Sequence, residues 1–150
     1  MKNRARLNPP DYDSRTIIGA ADEALARVEA ATLAVATIEA RIRPTDISDG
    51  RNIVFKDKEY ALRIDWPSEG SRISFYVYGD GQWEPRVSAY CPATNQWCHV
   101  VAAWDGHKSS LWVDGEPFSV ARDAQAPAAT DNPLVIGSGV ALGTAFAGEM

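Results

Sequence analysis

Apolar and polar residues alternate with a period close to two along most of the chain after residue 50, which is the pattern of half-buried β-strands. The clearest instance is the run from Trp97 to Gly115, in which two alternating segments flank Asp105-Gly106 and a second Asp-Gly closes the run. Asp-Gly between alternating segments predicts an antiparallel hairpin, because these residues tolerate the backbone of tight turns. The run therefore predicts two paired strands and a turn into a third.

Further strands are predicted on both sides of this hairpin. Turns rich in Gly, Pro and Asp separate them at a spacing that is typical of an antiparallel sandwich or barrel. The predicted ranges are 52–56, 60–66, 73–78, 82–90, 119–122 and 133–137.

The N-terminal part of the chain has a less regular pattern. Residues 1–17 carry scattered charge without periodicity, so we expect an extended or disordered basic arm. Residues 36–43 alternate and predict a strand, and a weaker strand is expected at 24–29. The alanine-rich composition also fits a short helix within 18–34 on propensity alone. The expected organisation is the arm followed by a single sandwich domain over 18–150.

Composition narrows the class of protein. The chain is 45% hydrophobic and 23% charged, as expected for one soluble globular domain. No stretch approaches the roughly 18 apolar residues of a membrane helix, so no membrane partner is expected. A net charge of -5 argues against nucleic acid as the main partner. The basic N-terminal residues are not followed by an apolar segment, so no signal peptide is predicted.

The two cysteines, Cys91 and Cys98, lie close together in the sequence. This spacing across a turn permits a disulfide if the flanking strands pair in register. The alternative is two small buried thiols in a reducing compartment. Two cysteines without a histidine cluster do not form a zinc site.

Three segments resemble a known family. The run from Trp97 to Gly115 resembles W-x-H-V-A-x-x-x-D-G-x-x-x-x-L-x-V-D-G of the laminin-G-like branch of the concanavalin A-like lectin/glucanase superfamily. Residues 37–44 resemble its T-I-E-A-W-[VI]-R-P strand, and residues 133–137 resemble its P-L-x-I-G. The resemblance implies an all-β, antiparallel two-sheet sandwich of the jelly-roll kind. It also implies non-catalytic recognition of a glycan or a protein surface, and an extracellular, cell-surface or virion location.

The last residues of the sequence resemble only the start of a family segment. Phe146 to Met150 is similar to the beginning of F-x-G-x-[IM]-D-E-V-R-[IL]-Y, which continues as a long strand in the family. The resemblance therefore implies that the last strand is missing and that a sheet edge is open. A homo- or hetero-oligomer through this edge is expected on that basis. The alternative function is a structural or assembly subunit of a virion or surface layer, and a further alternative is a fragment.

Catalysis is not expected from these residues. The superfamily's glucanases use paired carboxylates in an E-x-D-x-x-E type of motif, which is absent here. Glu39 shares a predicted face with Arg41 and fits an ion pair better than a nucleophile, which leaves a glycoside hydrolase as a distant alternative. No cofactor is expected. Relatives hold a structural calcium ion with loop carboxylates, but no spaced ligand set is formed by Asp22, Asp46, Asp49 and Asp131.

The outward positions of the predicted strands supply the candidate ligand-binding residues. Sugars are bound by flat aromatic rings and by polar groups that can make paired hydrogen bonds. The candidates of these types are Arg41, Arg63, Asp65, Tyr76, Tyr78 and Trp112. We expect Tyr76, Tyr78 and Trp112 to cluster on one exposed face, although such residues also form ordinary cross-strand pairs. Arg41 stands where the family has an aromatic residue, which favours an acidic glycan or a salt-bridged protein interface.

Overall fold

The computed structural model describes residues 27–31, 35–125, 127–137 and 144–150, and these residues form two packed β-sheets. The only helical element in the described part of the chain is a 3-10 turn, Pro67–Glu69. No described helix has the length and apolar character needed to cross a membrane. The strands are β1 (Arg27–Ala31), β2 (Val35–Pro44), β3 (Arg51–Lys56), β4 (Tyr60–Ile64), β5 (Ile73–Val77), β6 (Val87–Ser88), β7 (Cys98–Trp104), β8 (Lys108–Val113), β9 (Glu116–Ala121), β10 (Leu134–Ile136), β11 (Thr144–Ala145) and β12 (Gly148–Glu149).

The strands divide between two sheets. Sheet I has the order β1-β2-β7-β8-β9, and β12 also pairs with β2. Sheet II has the order β10-β3-β4-β5-β6. The short strand β11 also pairs with β3, in the parallel direction. Every pairing along these two orders is antiparallel. The expected all-β, antiparallel two-sheet sandwich is confirmed.

The central hairpin forms as its alternation predicts. β7 and β8 pair from Val100 opposite Val113 to Trp104 opposite Ser109. Asp105 stabilises the turn, because its carboxylate accepts hydrogen bonds from the backbone N–H groups of His107 at 2.9 Å and Lys108 at 2.8 Å. These two bonds lower the pKa of the Asp105 carboxyl. The turn chemistry therefore holds the register that decides which side chains face the core.

The core lies between the two sheets and is built from alternate residues of their central strands. Side chains with no solvent exposure come from both sheets, so neither sheet supplies the core alone. Burying one such aliphatic or aromatic side chain contributes roughly 1.5–3 kcal/mol. The largest of these side chains are Phe75, Ile38, Ile42, Ile53, Leu62, Ile64, Ile73 and Leu111.

Three predicted strands differ from the structure, and one of them, expected over 119–122, is observed at Glu116–Ala121. The strand expected over 82–90 is limited to Val87–Ser88, preceded by a loop that carries Trp83 and Pro85. Proline has no N–H to donate to a ladder, which disfavours a strand through this position. The strand expected at 24–29 is observed at Arg27–Ala31, paired with β2. Those residues are therefore not helical, which shows backbone pairing overriding alanine propensity. The predicted arm lies outside the described residues.

The edge of β2 that faces away from β7 is occupied at two places. On the β7 side of the strand, the Asn95 N–H donates to the Pro44 carbonyl. On the opposite side, the Thr45 N–H donates to the Ala147 carbonyl at 2.8 Å. β12 pairs there with Pro44 and Arg43, and β1 pairs with residues 35–39 further along. The segment that resembles the start of the family's last strand thus lies beside β2.

Candidate functional site

The six candidate residues lie on two opposite faces of the sandwich. Arg41 on β2 and Trp112 on β8 belong to sheet I. Four others lie on or next to β4 and β5 of sheet II: Arg63, Asp65, Tyr76 and Tyr78. The expectation that Tyr76, Tyr78 and Trp112 share one exposed face is therefore wrong. Their outward positions belong to different sheets, and the outer faces of two packed sheets point in opposite directions.

Asp65 is the centre of a buried polar network on the outer face of sheet II, which we call the Asp65 network. Asp65 is fully buried, with 0% exposure. Its Oδ1 accepts a hydrogen bond from the Tyr76 hydroxyl at 2.7 Å and one from Arg63 Nε at 2.9 Å. Its Oδ2 accepts from the Ser74 hydroxyl at 2.5 Å. The carboxylate is thus fully engaged by protein donors, as a buried charge must be.

Arg86 completes the Asp65 network from the loop above the sheet. Its guanidinium lies 3.4 Å from Asp65 Oδ2, 3.2 Å from Glu69 Oε1 and 2.5 Å from Glu84 Oε1. The guanidinium groups of Arg86 and Arg63 also lie over the ring of Tyr76, at 5.3 and 5.0 Å from its centroid. Burial, together with the hydrogen bond to Asp65, raises the pKa of the Tyr76 hydroxyl. The carboxylates and guanidinium groups of the Asp65 network offset one another's charges, which is typical of an ion-pair network that stabilises a fold.

The loop that precedes Arg86 covers the rest of this face. Trp83 packs on Phe55, with ring centroids 6.2 Å apart, and edge-on against Tyr78 at 5.1 Å. The buried guanidinium of Arg122 donates to the backbone carbonyls of Val77, Gly79 and Gln82 at 2.9–3.3 Å. Tyr78 is consequently half-buried, and the four candidates on sheet II do not form an open aromatic platform.

The outer face of sheet I is open at Trp112, and we call this surface the Trp112 face. Trp112 is 36% exposed. Its direct cross-strand neighbours are Val101 on β7 and Pro117 on β9, and Val101 is in turn opposite Glu39 on β2. The adjacent row contains Ala103 opposite Ser110, which are both small. The indole ring of Trp112 is therefore surrounded on the sheet by smaller side chains.

Arg41 lies on the same face, at the side of β2. It is exposed, and its guanidinium is 4.9 Å from the ring centroid of Trp97. Within the described part of the chain, no carboxylate lies at ion-pair distance from Arg41. Its direct cross-strand partner is His99, whose Nε2 is 2.8 Å from Glu39 Oε1. The Trp112 face therefore combines an exposed indole, a cation with no carboxylate at ion-pair distance in the described ranges, and a histidine–carboxylate pair.

Sheet geometry relates the two candidates on this face. Arg41 and Trp112 are two strands and two residues apart along the ladder. Strand spacing of about 4.8 Å and a rise of about 3.4 Å per residue place their Cα atoms roughly 12 Å apart. A ligand that touches both must extend across three strands. The sequence analysis did not include Trp97 among the candidate residues, yet its side chain is 43% exposed on this face.

The acidic side chains of the loops are held by neighbouring protein groups. In the described ranges, no three His, Cys, Asp or Glu side chains are grouped so as to hold a metal. The Asp46 carboxylate accepts from the Ser48 N–H and pairs with Arg51. The Asp46 pKa is lowered mainly by the hydrogen bond from the Ser48 side chain, and next by the bond from the Ser48 backbone. Asp49 accepts from the N–H of Gly50. Of the two other aspartates considered in the sequence, Asp131 is an exposed loop residue and Asp22 lies outside the described residues.

Both cysteines are free thiols in the structure. Cys98 is buried in β7, and burial is the main cause that raises its pKa to about 12. Cys91 is exposed in the preceding loop. The two thiols therefore differ in their access to solvent.

Solved structures of known proteins share this architecture. A Bacteroides ovatus ATCC 8483 protein that has been proposed to bind carbohydrate superposes with a TM-score of 0.62 and 21% identity, over 82% of this chain and 37% of that one. Domains LG4-5 of the mouse laminin alpha1 chain superpose with a TM-score of 0.56 and 18% identity, over 82% of this chain and 39% of that one. At these identities, the similarity shows the fold.

The family comparison covers nearly the whole chain. A search of curated proteins gave no match. The laminin G family model of the concanavalin A-like lectin/glucanases superfamily matches residues 19–150. This match, together with the two-sheet sandwich, shows that the chain belongs to the laminin G family of the concanavalin A-like lectin/glucanases superfamily.

Proposed function

We propose that this protein is a non-catalytic recognition module that binds an acidic carbohydrate on the Trp112 face. The observation that carries the proposal is the position of Arg41, which is exposed beside an aromatic ring with no carboxylate at ion-pair distance among the described residues. A carbohydrate-binding proposal for one structural neighbour supports the general class of ligand.

Trp112 supplies the flat surface that the C–H face of a sugar ring requires. Its side chain is exposed while Val101, Pro117 and Ser110 surround it on the sheet. Because the indole is supported on a rigid strand, stacking costs little conformational entropy compared with a loop residue. An aromatic contact of this kind contributes about 0.5–1.5 kcal/mol beyond the buried area.

Arg41 supplies the charge selectivity. A guanidinium forms paired hydrogen bonds with planar or tetrahedral anions, so a uronate carboxylate or a sulfate ester fits it. The Trp97 ring holds the guanidinium from one side, at 4.9 Å. The arginines of the Asp65 network face Asp65 and Glu69 instead, so their charges are already compensated.

The test is binding to an array of neutral, uronate and sulfated glycans, followed by calorimetric titration of the best acidic ligand. We expect Trp112→Ala and Arg41→Gln each to weaken binding by about tenfold. The Arg41→Gln variant should also lose part of the salt dependence that the wild type shows between about 0.02 M and about 0.3 M salt.

Matched control variants change similar residues elsewhere. Trp66 is 38% exposed in the turn after β4, and Arg72 is exposed nearby. Trp66→Ala and Arg72→Gln should bind as the wild type does. A module that binds only neutral glycans, or that keeps full affinity in both Trp112→Ala and Arg41→Gln, would contradict the proposal.

A further inference from the structure

Trp97 stands on the Trp112 face, immediately before β7. The next outward residue of the strand is His99, because Cys98 between them is buried. The side chain of Trp97 is 43% exposed, which is a larger fraction than the 36% of Trp112. A large flat ring that stays open to solvent beside a rigid sheet is available to a ligand.

The turn before Trp97 is tied to the end of β2. The Asn95 N–H donates to the Pro44 carbonyl at 2.7 Å, and the Asn95 carbonyl accepts from Arg43 Nε at 3.2 Å. Arg43 is itself paired with Glu149 on β12 at 2.5 Å. Because these contacts fix the backbone next to the ring, little conformational entropy is lost when a ligand binds there.

Trp97 and Trp112 lie on opposite sides of Arg41 along the strand direction. Arg41 is opposite His99, which follows Trp97 by two residues. Trp112 is opposite Val101, which follows Trp97 by four residues. A rise of about 3.4 Å per residue and a strand spacing of about 4.8 Å place the Cα atoms of the two tryptophans roughly 14 Å apart. One pyranose ring is much shorter than this distance, so a ligand that contacts both indoles contains several sugar residues.

We infer that Trp97 is a second sugar-contacting residue of the Trp112 face, and that the ligand is an internal stretch of a linear acidic polysaccharide. This inference rests on the proposed function. Trp97, Arg41 and Trp112 bind successive parts of one chain, with an acidic group at Arg41 in the middle. Sites that hold a single small ligand are concave and enclose most of its surface, whereas both indoles are exposed on one sheet face.

A direct contact between Trp97 and the sugar differs from an effect through Arg41 in its dependence on that arginine. The guanidinium of Arg41 lies 4.9 Å from the centroid of the Trp97 ring, so removal of the ring also releases the cation. If this were the whole role of Trp97, its removal would have no effect once Arg41 is replaced. If the indole stacks on a sugar, its removal weakens binding in both backgrounds.

The experiment is calorimetric titration with disaccharides and hexasaccharides prepared from heparin, which carries sulfate groups, and from hyaluronan, whose acidic group is a uronate. We expect Trp97→Ala to weaken hexasaccharide binding by about three- to tenfold, both in the wild type and in Arg41→Gln. Trp97→Tyr keeps a flat ring and should bind within about twofold of the wild type. The control is Trp66→Ala, which removes an indole that is 38% exposed elsewhere and should leave the affinity unchanged.

Chain length tests the second part of the inference. The wild type should bind a hexasaccharide at least about tenfold more tightly than the disaccharide of the same series, because only the longer chain reaches both indoles. The double variant Trp97→Ala/Trp112→Ala should lower this ratio to about threefold or less, since a longer chain then gains only from its additional charges and binding registers. Trp66→Ala should keep the wild-type ratio.

The outcomes separate this inference from the function on which it rests. Unchanged hexasaccharide affinity in Trp97→Ala, or a loss that occurs only when Arg41 is present, overturns the sugar contact at Trp97. Equal affinity of the wild type for the disaccharide and the hexasaccharide overturns the binding of an internal stretch, as does a wild type that binds acidic glycans on the array but neither hexasaccharide. Each of these results leaves the proposed function intact. Failure of the wild type to bind any sulfated or uronate glycan on the array overturns the proposed function itself, and this inference with it.

Discussion

Replacing Asp65 with alanine should destabilise the protein more than any exposed substitution. The carboxylate is fully buried and receives hydrogen bonds from Arg63, Ser74 and Tyr76, with Arg86 at 3.4 Å. Its removal leaves the Tyr76 hydroxyl without its acceptor, leaves the Ser74 hydroxyl with only Ser88, and takes one counter-charge from each of two guanidinium groups. Removing one member of a buried ion pair costs about 3–5 kcal/mol.

The loss in unfolding free energy depends on which carboxylates Arg63 and Arg86 still contact after the substitution. Glu69 lies 2.7 Å from Arg63 and 3.2 Å from Arg86, so both arginines keep one carboxylate. We therefore expect the loss in unfolding free energy for Asp65→Ala to lie near the lower limit, at about 3 kcal/mol. Tyr76→Phe removes one hydrogen bond to a charged acceptor and should cost about 1.5–3 kcal/mol.

The assay is urea unfolding followed by tryptophan fluorescence, with Asp131→Ala as the control because Asp131 is an exposed loop carboxylate. A cost below about 1 kcal/mol for Asp65→Ala would show that the network contributes little and would refute the reasoning. Asp65→Asn, which keeps the shape of the side chain, should retain binding to an acidic glycan. Loss of binding in a folded Asp65→Asn protein would move the candidate site to sheet II.

Three further predictions concern other buried groups. Arg122→Met should lower the unfolding free energy by about 2–4 kcal/mol in urea unfolding, because three backbone carbonyls each lose a hydrogen bond from its guanidinium. The exposed Arg72→Met should be neutral. Gly79→Ala should lower the unfolding free energy by about 1–3 kcal/mol in the same assay, because its new Cβ would lie 2.7 Å from Ala124 Cβ. An unchanged urea midpoint would show that the loop moves to accommodate the methyl group. Timed thiol labelling at about pH 8 should modify Cys91 rapidly and Cys98 only on unfolding, because burial raises the Cys98 pKa to about 12. Equal labelling rates for the two thiols would be inconsistent with the burial of Cys98.

The strands and the central hairpin could be predicted from the sequence because their determinants are local. Alternation from Cys98 to Trp104 and from Lys108 to Val113 sets which side chains face the core, and Asp105 stabilises the turn between them. The outward position of Trp112 follows from the same alternation. For these elements, residues close together in the chain carry all the necessary information.

The arrangement of the candidate site could not be predicted in the same way. Period-two alternation states that Tyr76 and Trp112 point outwards, but it does not state which sheet each strand joins. That choice depends on long-range pairing, which places β5 and β8 in opposite sheets. Nor does alternation reveal that an outward position is covered. Asp65 is outward and yet fully buried, because Arg86 and the preceding loop lie over it.

The two outer faces show why outward charged residues on a sandwich do not all serve recognition. On sheet II, acidic and basic side chains are close enough to neutralise one another, as the 2.9 Å contact between Arg63 and Asp65 shows. A ligand anion would have to displace a carboxylate that is already well hydrogen-bonded, and the net gain would be small. On sheet I, the carboxylate of Glu39 is 2.8 Å from His99, and Arg41 faces an aromatic ring. An anion that meets Arg41 displaces mainly water, so the favourable charge interaction is retained in the bound state. The proposed recognition at Arg41 therefore follows from its lack of a carboxylate at ion-pair distance among the residues that the structure describes.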